Sequence, residues 1–144
     1  LLVRGLGLEK EAAKYAEEHT GYGDHGEIAD WAIGAVNFLT EKGIYTGYDD
    51  GEFKPNKIIL RQELVALVMR HANNTKSGLD NDYTDGHEIH GYAEDFVSHA
   101  SDLGIIAGYP DGTFLPLNSI TRAEAAKVLY GAFKYFDFLT ENRK

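Results

Sequence analysis

The sequence predicts an all-α fold built from helix–loop–helix repeats, and two observations lead to that prediction. First, residues 22–72 align without a gap to residues 83–133 at a constant offset of 61, with 17 identities in 51 positions, where chance gives about three. Second, each copy contains two stretches whose apolar residues recur at the spacing of an amphipathic helix. A repeated unit of two helices joined by a loop accounts for both observations.

The amino-acid composition limits the classes of protein to which the chain can belong. With 144 residues, 43% of them apolar, the chain is long enough for one compact domain. No stretch approaches the roughly 18 consecutive apolar residues of a membrane-spanning helix, and no export signal is recognisable at the start. The formal net charge of −9 repels polyanions and disfavours nucleic acid as a partner. The lack of cysteine excludes disulfides and thiolate chemistry.

The first helix of the first repeat is predicted by an apolar face and by its two ends. Asp24 or Asp30 is placed to cap its start. Gly43, followed by the apolar Ile44, has the pattern of a left-handed cap at the helix end, and the same Gly-Ile pair recurs at residues 104–105. The residues that share the predicted face are Ile28, Trp31, Ala32, Ala35, Val36 and Leu39.

The loop between the two helices is the most strongly repeated segment. It reads GYDDGEFKP at residues 47–55 and GYPDGTFLP at residues 108–116. Its glycines are predicted to occupy turn positions that demand a positive φ, its phenylalanines to enter the core, and its prolines to stiffen the loop exit. These residues are Gly47, Gly51, Gly108 and Gly112, with Phe53, Phe114, Pro55 and Pro116.

The second helix of each repeat begins after the loop. In the second repeat, Thr121 and Glu124 have the spacing of a capping box, in which each side chain accepts a backbone N–H at the helix start. In the first repeat Leu60 takes the place of the threonine. The loss of the hydroxyl cap is expected to weaken that helix start by about 1 kcal/mol.

The repeats also set the predicted domain boundaries. The segment LLVR at residues 1–4 is similar to LVMR at residues 67–70, where the second helix of the first full repeat ends, so we expect the chain to open inside a preceding repeat. The four predicted segments are residues 1–21, the tail of that repeat with a partly helical connector; residues 22–72, a repeat; residues 73–82, a linker; and residues 83–144, a repeat with an extended C-terminal helix.

These motifs resemble the S-layer homology (SLH) domain repeats of bacterial cell-surface proteins. The matching segments are YGD, DWAIGAV, GIYTGYDDGEFKP and ILRQELVALV in the first repeat, and YTD, GIIAGYPDGTFLP and ITRAEAAKVL in the second. A motif of this length that occurs twice in register is a specific signal. Two repeats and the tail of a third cover nearly all of the chain.

The resemblance implies a fold and a function. SLH repeats typically pack in threes around a pseudo-threefold helical core and hold proteins non-covalently on the bacterial envelope. In Gram-positive bacteria the ligand is a secondary cell wall polysaccharide, often with pyruvate ketals on N-acetylmannosamine, which lies in grooves between neighbouring repeats. We therefore expect an extracellular, cell-surface anchoring module that binds an acidic cell-wall polysaccharide, with no cofactor and no enzymatic activity.

Arg61 and Arg122 are the predicted ligand-binding cations. A planar guanidinium donates paired hydrogen bonds to a carboxylate, which is the group that a pyruvate ketal presents. The helix N-terminus nearby adds positive potential and free backbone N–H donors. The alternative is a structural ion pair with Asp50, with Asp111 or with the glutamate of the same helix. The two roles can coexist, because an aspartate can hold the guanidinium in position.

The other predicted binding residues come from the loops and from aromatic positions. Aromatic faces suit the apolar face of a sugar ring, although a tryptophan on an apolar helix face is more often part of a core. Lys54 and Lys57 make the first loop more basic than the second, where Leu115 and Asn118 replace them. The full predicted set is Arg61, Arg122, Asp50, Asp111, Gly47, Gly108, Tyr48, Tyr109, Trp31 and Tyr92.

Other site chemistries fit the sequence less well. His87 and His90 are three residues apart, whereas the zinc-protease helix needs a spacing of four. The acidic run from Asp80 lacks the glycine and the glutamate of a calcium loop at the required positions. No metal site and no catalytic set are predicted. Two competing functions stay open: a protein-interaction or self-assembly module, in which the exposed aromatics pack on a partner and the arginines are structural, and an enzyme fragment. We also expect self-association, or a rearranged N-terminal segment, to take the place of the incomplete repeat.

Overall fold

The computed structural model describes the backbone of residues 2–5, 7–72 and 75–141. Some side chains within these ranges, including that of Arg122, lie outside the described part of the structure. The α-helices are α1, Leu2–Gly5; α2, Glu9–Ala13; α3, Asp30–Glu41; α4, Arg61–Ala72; α5, Gly91–Asp102; and α6, Arg122–Glu141. Single turns of 3₁₀ helix, His25–Glu27 and Gly86–Glu88, precede α3 and α5.

The described backbone is helical throughout its regular parts. Over the ranges given above, the β-structure consists of one isolated antiparallel bridge between Leu60 and Ser119. The prediction of an all-α fold is therefore confirmed, while the pseudo-threefold arrangement stays a prediction. None of the helices, over the part of the chain that is described, is long and apolar enough to cross a membrane.

The chain divides into two compact units, Leu1–Lys57 and Ile58–Lys144. In the first unit α2 packs against α1 and α3, and in the second unit α4 packs against α5 and α6. This division differs from the repeat boundaries read from the sequence, because α4 is the second helix of the first repeat and yet packs with the helices of the second.

The apolar face of α3 is shared between two clusters in the first unit. Phe38 packs with Val3 and Ala12, and Val36 packs with Tyr22, Ile28 and the partly buried Phe53. In the second unit Phe114 is fully buried. The predicted core role is therefore confirmed for Phe114, and Phe53 takes the same place with more of its surface exposed.

Trp31 was predicted on the same helix face, and there it is exposed rather than part of a core. Its side chain is 87% exposed. Trp31 lies in the first turn of α3, on the side that carries Phe38 two turns later. Helix α2 packs beside Gly34, where an added Cβ would lie 2.5 Å from the carbonyl oxygen of Ala12. The first turn of α3 lies beyond this contact between Gly34 and α2, so the indole of Trp31 stays in solvent.

The helix ends follow the predicted glycine caps. Gly43 and Gly104 have φ values of 67° and 69°, and the residue after each glycine donates its N–H to a carbonyl five residues earlier, at 3.0 Å for Ile44 and 2.9 Å for Ile105. The predicted cap of α3 by Asp24 or Asp30 is wrong. The N-cap position is Ala29, with no side-chain cap hydrogen bond.

Candidate functional site

The aspartate near the start of each repeat holds the loop of that repeat. Asp24 accepts the backbone N–H groups of Phe53 at 2.8 Å and Lys54 at 2.7 Å. Asp85 accepts those of Phe114 and Leu115, both at 2.8 Å. The hydrogen bond from the Phe53 N–H is the main cause of a lowered pKa for Asp24. The loop backbone is therefore fixed by one charged acceptor in each repeat.

Two aromatic rings explain why each loop begins with glycine. A Cβ on Gly108 would lie 2.6 Å from the ring of Tyr83, and a Cβ on Gly47 would collide with the ring of Tyr22. Gly47, with φ 73°, also needs the left-handed backbone that was predicted for it. That prediction is wrong for Gly108, whose φ lies outside the left-handed region. Space alone requires glycine at this position.

Arg61, the first residue of α4, is directed into the second loop. Its Nε donates to the carbonyl of Phe114 at 2.8 Å, and Nη2 donates to the carbonyl of Ala107 at 3.2 Å. The guanidinium carbon lies 4.9 Å from the ring centre of Tyr109 and 5.0 Å from that of Phe114. With 7% of its surface exposed, Arg61 is held in a single orientation by carbonyls and aromatic faces.

Glu124 is the carboxylate nearest to this guanidinium among the described ion pairs. Its Oε1 lies 3.8 Å from Nη1 of Arg61, and the same oxygen accepts the hydroxyl of Tyr109. The hydrogen bond between the two side chains raises the pKa of Tyr109 and lowers the pKa of Glu124. Arg61, Tyr109 and Glu124 thus form one charged cluster at the mouth of the second loop.

The N-terminus of α4 does not supply the free donors that the sequence suggested. The N–H of Arg61 donates to the carbonyl of Asn118 at 2.9 Å, and that of Gln62 donates to the carbonyl of Pro116 at 3.2 Å. The N–H of Leu60 donates to Glu63 at 2.7 Å. The expectation of free backbone donors is therefore wrong at this helix start. The carbonyls of Pro116 and Asn118 and the side chain of Glu63 accept these three N–H groups.

Asp50 and Asp111 shape the loop turns. Asp111 accepts the N–H and the hydroxyl of Thr113, at 3.0 and 2.6 Å. Asp50 accepts the N–H of Glu52 at 3.1 Å and forms an ion pair with Lys54. These contacts lower the pKa of both aspartates. In the described contacts, Arg61 is paired through Glu124 rather than through either aspartate, and the partner of the Arg122 side chain lies outside the described residues.

Two lysines lie close to the tyrosine of the first loop. The Nζ atoms of Lys54 and Lys57 lie 5.0 and 4.1 Å from the ring centre of Tyr48. Lys54 also contacts Asp50 and lies 3.8 Å from Glu52. The hydrogen bond to Asp50 raises the pKa of Lys54. The tyrosine of the first loop therefore lies beside two lysine ammonium groups, of which Lys54 pairs with carboxylates, whereas the tyrosine of the second loop lies beside a buried guanidinium.

The helix-start aromatics are exposed in both repeats. Trp31 is 87% exposed, and Tyr92, at the equivalent position of α5, is 47% exposed. Both side chains therefore present aromatic surface to solvent. Tyr109 is a predicted aromatic residue that the structure brings against Arg61.

An open cleft of about 430 Å³ lies beside Tyr109 in the second unit. It is bounded by the connector before the repeat, by the last turns of α5 and by the loop. A second cleft, of about 420 Å³, adjoins it. The residues that line both clefts are Asp80, Asn81, Tyr83 and Ser98.

Sequence reasoning missed two contributors to this site, the loop-holding aspartates and Glu124. Asp24 and Asp85 are identical at the 61-residue offset, as are Glu63 and Glu124. The signal for all four was therefore present in the repeat alignment. It did not reveal which group each carboxylate contacts.

Comparisons with known proteins agree with these structural features. The family model of the S-layer homology domain matches residues 21–65 and 82–126, which together make up more than half of the chain. Each match contains one loop with its aspartate and its glycines.

The chain is also similar to named bacterial proteins. It is 34% identical over 122 residues to cell surface glycoprotein 1 of Acetivibrio thermocellus, covering 76% of this chain and 5% of that protein. It is 35% identical over 108 residues to the cellulosome-anchoring protein of the same species, covering 69% and 23%. An endoglucanase of a Bacillus species is 32% identical over 134 residues, covering 90% and 13%.

The match to each of these three relatives spans less than a quarter of the relative's length. The two segments that match the family model contain the repeated loops, the Gly-Ile helix ends and the arginine that opens α4. The chain therefore belongs to the S-layer homology domain family.

Proposed function

We propose that the chain is a cell-wall anchoring module at the bacterial surface, which binds an acidic secondary cell wall polysaccharide of the pyruvylated N-acetylmannosamine type through the groove at Arg61. The observation that carries the proposal is the fixed guanidinium of Arg61. It lies against Tyr109 and Phe114, and two loop carbonyls set its orientation. A positioned guanidinium is suited to a carboxylate on a sugar.

The contacts of Arg61 leave capacity for such a ligand. A guanidinium has five N–H donors, and loop carbonyls accept two of them in the described structure. Glu124 lies 3.8 Å from Nη1, beyond hydrogen-bond distance. A ligand carboxylate that reaches the remaining donors would complete the coordination that Glu124 only approaches.

The relatives support a location at the cell surface. Two are named as a cell surface glycoprotein and a cellulosome-anchoring protein, and others as a middle cell wall protein and an S-layer protein. The endoglucanase relative matches over 13% of its own length. We infer that the chain is the attachment part of such proteins and has no catalytic activity of its own.

The test is calorimetric titration with a glycoside of pyruvylated N-acetylmannosamine and with the same glycoside lacking pyruvate. We expect wild type to bind the pyruvylated form, and Arg61→Lys to weaken that binding by about tenfold or more, because lysine keeps the charge but loses the planar fork. Arg70→Lys is the matched control. It lies on the same helix, with its guanidinium 5.6 Å from the ring centre of Phe96.

Wild-type affinity in a folded Arg61→Lys protein would contradict the assigned role. Circular dichroism and thermal unfolding establish that each variant is folded. Arg122→Ala, titrated in the same way, tests the second predicted arginine. Equal binding of the pyruvylated and unmodified glycosides would reject the acidic ligand.

Exposed apolar side chains favour a second candidate function, self-association of the module. Trp31, Ile58 and Tyr130 are 87%, 68% and 69% exposed. A large apolar side chain in solvent can contribute to an interface with a second copy. Sedimentation velocity over a concentration series tests this function, with Tyr130→Ser as the variant. A monomer at every concentration would reject it.

A further inference from the structure

We propose that Gln62 positions the guanidinium of Arg61, because its side chain ties the first turn of α4 to the segment that holds the second loop. The inference rests on the proposed function, to which it adds a buried residue that acts through Arg61 rather than by contact with the ligand.

Gln62 is an unexpected residue for its place in the core. It follows Arg61 in α4 and is fully buried. Burial of a polar side chain costs free energy unless hydrogen bonds replace those that water would make. Packing alone would therefore favour an apolar residue here, as at the other buried positions of the same helix face, which are Val65, Ala66 and Met69.

The amide of Gln62 is only half satisfied. Its Oε1 accepts the N–H of His90 at 2.9 Å, whereas its buried Nε2 has no hydrogen-bond partner within the described part of the chain. The opposite orientation of the amide would turn Nε2 towards the N–H of His90, donor against donor, so the hydrogen bond fixes the orientation. A buried donor without a partner is unfavourable. The contribution of Gln62 therefore lies in its acceptor.

That acceptor reaches the segment that holds the second loop. Asp85, five residues before His90, accepts two backbone N–H groups of the loop, both at 2.8 Å. Between Asp85 and His90 the chain forms a single turn of 3₁₀ helix, followed by the buried Ile89. One short, ordered segment thus carries both the loop and the hydrogen bond from its own backbone to Gln62.

Arg61 depends on the position of α4 relative to this loop. Its guanidinium donates to the carbonyls of Phe114 and Ala107, near the two ends of the loop. Arg61 is also the first residue of α4, where the backbone N–H groups lack partners inside the helix. The hydrogen bond between Gln62 and His90 attaches this first turn to the start of α5, so it fixes the point from which the guanidinium reaches the loop.

The corresponding residue of α6 shows that the repeat itself does not require a buried amide at this position. Ala123 stands 61 residues after Gln62 and is exposed. Its methyl side chain cannot accept an N–H. The amide is therefore a feature of the α4 start, where the oriented arginine lies.

Gln62→Met separates positioning from stability. Methionine fills a similar volume but removes both the acceptor and the unpaired donor. These two losses oppose each other in the free energy of unfolding, so we expect a melting temperature within about 3 °C of wild type. The affinity for the pyruvylated N-acetylmannosamine glycoside, measured by calorimetry, should fall by about fivefold or more, because Arg61 is no longer preorganised.

Gln62→Glu should show the opposite pattern. Burial favours the protonated carboxyl group, which adds no charge and still offers an oxygen to the N–H of His90. Uptake of a proton at neutral pH costs stability, so the melting temperature should fall. The affinity, measured well below that temperature, should stay within about twofold of wild type, because the acceptor is kept.

Met69→Leu is the matched control. Met69 is fully buried on the same face of α4, and an exchange of methionine for leucine conserves volume. We expect its affinity to equal that of wild type.

Nuclear magnetic resonance reports the orientation of Arg61 without any ligand. The Nε–H signal of Arg61, assigned by its absence in Arg61→Lys, should exchange slowly with water in wild type, because the carbonyl of Phe114 accepts this group. In Gln62→Met the exchange should be about tenfold faster, since the hydrogen bond opens more often. In Gln62→Glu and Met69→Leu it should stay slow.

The outcomes separate this inference from the proposed function. If Gln62→Met binds the glycoside as tightly as wild type, or if affinity follows the melting temperature in both Gln62 variants, the positioning role is rejected and the Arg61 groove is retained. Slow Nε–H exchange in Gln62→Met would also reject it. If wild type does not bind the glycoside, the proposed function is rejected, and the exchange rates alone decide whether Gln62 orients Arg61.

Discussion

In both repeats an aspartate holds the loop by two backbone hydrogen bonds, but the cation that faces the loop tyrosine differs. Tyr109 lies against the buried guanidinium of Arg61, which α4 supplies. Tyr48 lies against the ammonium groups of Lys54 and Lys57, which belong to its own loop and the residues just after it. The repeated motif thus sets the backbone of the loop, while the surrounding residues set its electrostatics.

The largest difference between the repeats should appear when the loop-holding aspartate is removed. Asp85→Ala leaves the N–H groups of Phe114 and Leu115 without their acceptor, in a buried position. We expect a loss of about 3 kcal/mol in the free energy of unfolding. Asp24→Ala should cost less, because Asp24 is more exposed. Urea denaturation of both variants measures the difference.

Equal losses in the two variants would show that burial does not distinguish the loops. Asp85→Asn is a useful companion variant. Its side chain has one carbonyl oxygen instead of two carboxylate oxygens, so it should retain one of the two hydrogen bonds and fall between wild type and Asp85→Ala.

The connector of the second repeat should lose stability in acid. It is held by the N–H of Lys76, which donates to Nδ1 of His99; in the first repeat the N–H of Thr20 donates to Nδ1 of His25. Burial is the main cause of a lowered pKa for His99; the charge of Lys76 adds to it, and Asp102 opposes it. The neutral ring therefore contributes stability that is fully present above the unfolded pKa of about 6.5 and declines as the pH falls below it.

His99→Gln tests this pH dependence, because an amide oxygen can accept the same N–H but does not titrate. The fall in melting temperature between pH 7.5 and pH 5.5 should be smaller in His99→Gln than in wild type. Some of the fall should persist, since burial also lowers the pKa of His71. His87→Gln, at an exposed position, is the control. An unchanged fall in His99→Gln would contradict the role of His99.

The helix starts provide a smaller contrast. Thr121 and Glu124 form the capping box predicted for α6, with N–H groups accepted at 3.2 and 2.9 Å. Thr121→Ala should cost about 1 kcal/mol. The introduction of the missing cap at α4, by Leu60→Thr, should gain much less than 1 kcal/mol, because the substitution also removes the partly buried leucine side chain. Thermal unfolding measures both changes, and a full gain in Leu60→Thr would contradict this compensation.

Local chemistry made much of the fold predictable. Helix positions followed from apolar spacing, and the ends of α3 and α5 followed from Gly43 and Gly104, since a left-handed cap is specified by a single residue. Trp31 has the spacing of the apolar face and yet is exposed, because exposure in the first turn of α3 depends on where α2 ends. The position of α2 beside α3 is set by tertiary packing, and the apolar periodicity of α3 does not predict it.

The candidate site was less predictable for a related reason. Arg61 could be identified from its type and its repeat, but its contacts with Phe114 and Ala107 join residues 53 and 46 positions apart. Pairing with Glu124 likewise depends on how α4 packs against α6. A single sequence shows which residues recur, and the three-dimensional packing decides which of them meet.

The smallest expected effect concerns backbone strain before the loop prolines. Lys54 and Leu115 have φ values of 57° and 56°, a conformation that costs a residue with a Cβ roughly 1 kcal/mol. Leu115→Gly removes this strain but increases the entropy of the unfolded chain, so we expect a net gain of about 0.5 kcal/mol or less in urea denaturation. Lys54→Gly should gain nothing, because it also loses the ion pair with Asp50. A loss above about 1 kcal/mol in Leu115→Gly would mean that leucine packing outweighs the strain.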